Sequence, residues 1–130
     1  MASSSASYHE SLDKLSATTQ DMHRAIVSLQ EELEAVDWYQ QRADACGDDE
    51  LKAILLHNMH EEIEHASMIL EWLRRRHPVF KQHLQTYLFT AKPILDIEEV
   101  DTGEKAAIKA GADTDTPRRP GLTVGTMKGD

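Results

Sequence analysis

The interruption Cys46-Gly47-Asp48-Asp49 limits how this chain can fold more than any other stretch. Residues 8–45 before it contain neither proline nor glycine, and residues 49–77 after it contain none until Pro78. Both stretches repeat apolar residues at helical spacing, which predicts two long helices joined by a short turn. Gly47 suits the end of the first helix, and Asp48 or Asp49 suits the start of the second, with Glu50 adding a charge that the helix dipole favours. So short a loop forces the helices antiparallel. A hairpin cannot enclose a core, because each helix buries one stripe and leaves another. The expected fold is therefore all-α: an antiparallel two-helix hairpin whose four-helix bundle is completed by homodimerisation.

Two carboxylates break the apolar stripes of these helices. Each residue advances a helix by about 100°, so Leu51, Leu55, Glu62, Ala66, Ile69 and Leu73 fall near one line, with His65 at its edge. On the first helix Ala25, Leu29, Val36 and Tyr39 form a stripe with Glu32 in its middle. A buried carboxylate without a partner costs several kcal/mol and needs a cation or a proton. Glu62-x-x-His65 places an oxygen and a nitrogen ligand on one helical face, since positions i and i+3 are neighbours. Di-iron carboxylate bundles take a single Glu from each of two helices and Glu-x-x-His from each of two more. This chain holds half of that set, and a second identical chain must supply the other half. The stretch His60-Glu61-Glu62-Ile63-Glu64-His65 is not a zinc protease motif, because its histidines lie five apart and point to different faces.

The 130 residues leave room for one small domain. A formal net charge of −9 and a pI near 5.2 argue against nucleic acid and anionic membranes as partners and favour cations. No apolar run approaches the roughly 20 residues of a membrane-spanning helix. The N-terminal stretch lacks the basic start and apolar centre of a signal peptide, which points to the cytosol, and a single Cys46 fits that compartment.

Residues 1–7 are small and polar and are expected to be disordered. Beyond Pro78, Phe80, Leu84, Tyr87 and Leu88 recur at helical spacing and predict a short third helix to about Thr90, closing a helical domain over residues 8–90. Residues 91–119 are expected to form a flexible linker, rich in Pro, Gly, Asp, Thr, Lys and Ala. Residues 120–130 contain Leu122-Thr123-Val124-Gly125-Thr126-Met127, a short apolar motif suited to docking in a groove at the end of a tether.

Taken together, Glu31-Glu32-Leu33-Glu34-Ala35-Val36-Asp37-Trp38-Tyr39, Asn58 with Glu62-x-x-His65 and Ala66, Leu70-Glu71-Trp72-Leu73-Arg74-Arg75 and Thr86-Tyr87-Leu88-Phe89-Thr90 resemble the encapsulated ferritins. These are ferritin-like, iron-oxidising proteins packaged inside encapsulin nanocompartments of the bacterial cytoplasm. The terminal motif is similar to the peptide that loads such cargo, whose core reads Leu-Thr-Val-Gly-Ser-Leu. The resemblance implies an annular decamer of five dimers, with a di-iron ferroxidase centre built from Glu32, Glu62 and His65 of both chains and Tyr39 beside the metals. It also implies a metal-access site at Glu31, Glu34 and Trp38, and a further external metal site at His57, Glu61 and Glu64, with calcium or zinc as possible occupants. Helical spacing agrees, because each of these triplets shares a face. An alternative remains in which zinc or calcium merely staples two hairpins into a structural or adaptor dimer. A peroxide-using rubrerythrin relative is less favoured, since the chain has no Cys-x-x-Cys pair.

Overall fold

The computed structural model describes residues 8–111, with side chains through residue 103. A 3-10 turn, Leu12–Lys14, precedes four helices: α1 (Ala17–Ala45), α2 (Asp49–Arg76), α3 (Pro78–Tyr87) and α4 (Ile94–Gly111). The described residues contain no strand, and none of their helices is long and apolar enough to cross a membrane. They fall into two compact units, the first ending at Arg76 and the second starting at His77.

In the first unit α1 and α2 form the expected hairpin. Ser16 starts α1, its hydroxyl accepting from the Thr19 N–H at 3.1 Å. The side chain of Asp48 starts α2 by accepting from the Leu51 N–H at 2.8 Å. Each contact satisfies a backbone donor that the first helical turn leaves without a partner. Ala43, Met59, Ala66 and Leu73 are buried between the helices, and the two alanines let the backbones approach. Complete burial of Leu73 contributes about 1.5–3 kcal/mol.

In the second unit α3 packs on α4. Pro78 takes the first turn of α3, where its missing N–H is not needed, and His77 Nδ1 accepts from the Phe80 N–H at 3.4 Å. Thr86, Ile97 and Asp101 are buried, and the Thr86 hydroxyl donates to the Gln82 carbonyl at 3.0 Å.

Several sequence expectations require correction. The first helix begins at Ala17 rather than residue 8, because Ser16 is extended (φ −66°, ψ 160°) and its side chain caps the first turn of α1. Cys46, also extended at φ −82°, ends that helix, and Gly47 after it does not take the left-handed conformation of a capping glycine. Leu51, expected on the buried stripe, sits in the first turn of α2 and is 48% exposed. The third helix ends at Tyr87 because Leu88 is extended (φ −72°, ψ 146°), and Phe89 beyond it is left-handed at φ 61°, so the helix does not reach Thr90. The expected linker from residue 91 is overturned over Ile94–Gly111, which is helix α4. It starts where the Pro93 carbonyl accepts from the Asp96 and Ile97 N–H groups at 3.0 and 3.2 Å. Asp96 favours the positive end of the helix dipole, and Ala106, Ala107 and Ala110 are strong helix formers. Residues 1–7 and 112–130, including the terminal apolar motif, lie outside the described residues.

Candidate metal centre

Glu32 on α1 and Glu62 and His65 on α2 converge, each offering one ligand atom within 4.8 Å of the others. His65 Nδ1 lies 3.2 Å from Glu62 Oε1 and 3.5 Å from Glu32 Oε2. The first distance comes from i, i+3 spacing on one helix; the second exists only because the hairpin brings α1 alongside. Among the described residues this is the one group of three or more His, Cys, Asp or Glu side chains at such spacing. Two carboxylates with one imidazole form a mainly oxygen donor set that could hold a metal ion.

The electrostatics are those of a site short of positive charge. Glu32 Oε2 is buried and has no hydrogen-bond partner. The Glu32 carboxyl is held above its ordinary pKa, first by burial and next by the neighbouring Glu62, with His65 pulling the other way. The cluster is also open on one side. The Glu32, Glu62 and His65 side chains keep 24%, 25% and 42% of their exposure, so Glu62 lies at the margin of the hairpin rather than in a closed core.

The remaining candidates are spread along the same two helices. Tyr39 is half-buried, seven residues beyond Glu32 and thus about 10 Å along the axis of α1. Helical side chains lean towards the N-terminus, here towards Glu32. On an outer face of α1, Glu31 and Trp38 are exposed and Glu34 is half-buried. On α2, His57 Nε2 approaches Glu61 Oε1 at 3.3 Å, and Glu64 is exposed. Within the single chain His57, Glu61 and Glu64 do not close to the ligand spacing of the inner cluster.

The structure adds two features that the sequence did not single out. Gln30 Oε1 is buried without a hydrogen-bond partner; a Gln on a helix surface gives no sequence signal of that. Arg42 lies over two rings, its Cζ 5.9 Å from the centroid of Trp38 and 5.4 Å from that of Tyr39. The i−4 and i−3 spacing of the two aromatic residues before an arginine was the available clue.

An all-helical hairpin presenting two glutamates and a histidine at metal-ligand spacing belongs to the ferritin-like class. More narrowly, the chain belongs to the EncFtn-like family, whose pattern matches residues 7–91, in keeping with the resemblance read from its motifs. It is 53% identical over 131 residues to an encapsulated ferritin-like protein of Rhodospirillum rubrum, covering 100% of this chain and 94% of that protein. It is 32% identical over 117 residues to the encapsulin nanocompartment cargo protein EncC of Myxococcus xanthus, covering 85% and 88% respectively. A crystal structure of a Nitrosomonas europaea protein matches with a TM-score of 0.65 and 63% identity, over 67% of this chain and 96% of that one.

Proposed function

We propose that this protein is a ferroxidase, oxidising Fe(II) to Fe(III) with dioxygen at a di-iron centre completed by a second copy of the chain. The convergence of Glu32, Glu62 and His65 on one open face carries this reading, supported by the buried Glu32 Oε2, which makes no hydrogen bond and has the His65 imidazole 3.5 Å away. Three ligands are half of a di-iron carboxylate set, and a two-fold axis through that face doubles them.

Iron is the substrate here. The imidazole of His65 helps to hold Fe(II), and the carboxylates of Glu32 and Glu62 stabilise the higher charge of Fe(III), so each ferrous ion gives up one electron to dioxygen more readily. Tyr39 is assigned a place beside the metals. Glu31, Glu34 and Trp38 are assigned to metal access, and His57, Glu61 and Glu64 to an external site. The names of the Rhodospirillum and Myxococcus relatives support packaging inside an encapsulin shell, with residues 122–127 as the docking peptide and five dimers in a ring. An open ring has no sealed cavity, so the mineral forms within the shell.

Stopped-flow absorbance after addition of Fe(II) in air tests the reading. The native protein should give a fast ferric signal, and Glu32→Ala, Glu62→Ala and His65→Ala should each abolish most of it, because every change removes two symmetry-related ligands. A native protein that binds iron but gives no fast signal would identify a structural staple instead. A variant that keeps the native initial rate would leave the ligand set.

A further inference from the structure

We infer that Arg42 is a positioning residue for this oxidation, its guanidinium fixing the orientation of the Trp38 and Tyr39 rings together. The inference rests on the assignment of Tyr39 to the metal centre proposed above. Arg24, Arg74 and Arg75 are engaged by carboxylates at 2.6 to 2.7 Å. The contacts of Arg42 are instead with the two rings, at 5.9 and 5.4 Å from Cζ to centroid, within the range in which a cation is attracted to a ring face.

Helical geometry explains why a single arginine reaches both rings. Trp38 and Tyr39 are consecutive and diverge by about 100°, and a residue three or four positions later projects between them. Trp38 continues the outer face of Glu31 and Glu34, while Tyr39 continues the inner stripe of Glu32. Arg42 therefore joins the outer face to the inner one. Its side chain, like theirs, leans towards the N-terminus, so it bears on the rings from the side away from Glu32. Trp38, Gln41 and Arg42 together line a hollow of about 320 Å³, and Gln41 is tied to Asp37 by a 3.1 Å hydrogen bond. Arg42 is the member of that group set against both rings. A planar guanidinium is suited to stacking in a way that a lysine ammonium is not.

A double-mutant cycle on the full chain tests the inference, with the maximal rate of iron oxidation as the readout. Arg42→Gln should lower that rate about three- to ten-fold, less than the roughly 100-fold that a 1 Å misplacement of a reacting group can cost. In the Tyr39→Phe background the same substitution should have almost no further effect, because the hydroxyl whose placement it disturbs is gone. Arg42→Lys, which keeps the charge and loses the planar stack, should recover less than half of the lost rate. With Trp72→Phe leaving Trp38 as the sole tryptophan, Arg42→Gln should also lower its fluorescence anisotropy. Gln41→Ala is the control and should oxidise iron at the native rate. A native rate in Arg42→Gln, full rescue by lysine, equal losses with and without the Tyr39 hydroxyl, an unchanged Trp38 anisotropy, or an equal loss in Gln41→Ala would each overturn the inference. If Tyr39→Phe alone keeps the native rate, the assignment of Tyr39 falls and the inference falls with it. If Tyr39→Phe is slow while Arg42→Gln is native, the inference alone fails.

Discussion

Glu32 and Glu62 share the Nδ1 side of one imidazole, and that arrangement sets the behaviour of the metal-free protein. The folded-state pKa of Glu32 is raised, so its contribution to stability is present below the ordinary value of 4.5 and is lost as the pH rises through the raised value. Where the Glu32 carboxylate is ionised, it is held against its preference. Glu32→Gln should therefore raise the melting temperature of the metal-free protein by a few degrees while removing the stabilisation that anaerobic Fe(II) gives the native chain. Calorimetry with and without the metal checks both halves; a lower metal-free melting temperature would contradict the electrostatic account. The three clustered residues were legible in the sequence because each interrupts or borders an apolar stripe. Arg42 was not, because an arginine in the last turn of a helix reads equally well as a complement to the dipole.

At the scale of the elements, the last turn of α2 and the middle of α4 each make a prediction. Glu71 receives Arg74 Nε and Nη2 at 2.6 and 2.7 Å and Arg75 Nε at 2.7 Å, and these hydrogen bonds hold its carboxyl down at about 2. A depressed folded-state pKa gives stability that is fully present above 4.5 and fades as the pH falls towards 2. Glu71→Gln should thus be less stable than the native protein at neutral pH, with the difference shrinking below pH 4.5 in a series of denaturation curves. In α4, Gly103 lies within the helix and a Cβ built on it meets nothing within 4 Å. Gly103→Ala should stabilise α4 by about 0.5–1 kcal/mol, read as increased helicity and a higher denaturation midpoint. That same glycine helps to explain why α4 was not legible in the sequence. Thr102 and Gly103 weaken the helical pattern, and residues 104–111 carry no strong apolar stripe. By contrast, α1 and α2 carry unbroken helical periodicity bounded by Asp48 and Pro78. The start of α1 was hidden because residues 8–15 contain no helix breaker, and only the Ser16 hydroxyl reveals where the turn becomes regular.

For the whole molecule, the open side of the Glu32–Glu62–His65 cluster and the exposed Ile26, Leu33, Ile54 and Met68 of the hairpin favour assembly. Native mass spectrometry across an Fe(II) titration should show monomer passing to dimer and larger rings; a monomer that binds two irons tightly would contradict the shared site. Deleting residues 120–130 should leave oxidation and assembly intact and abolish co-purification with co-expressed encapsulin, because the motif within them is read as acting through its own contact. Continued packaging of the shortened chain would make the motif irrelevant. The partial exposure of the three ligands also bears on timing. A chain newly released from the ribosome holds its glutamates and histidine but has no facing copy, so under the proposed reading it cannot turn over iron until it meets one. Specific activity should then fall as the protein is diluted, and oxidation would be confined to places where the chain is crowded together.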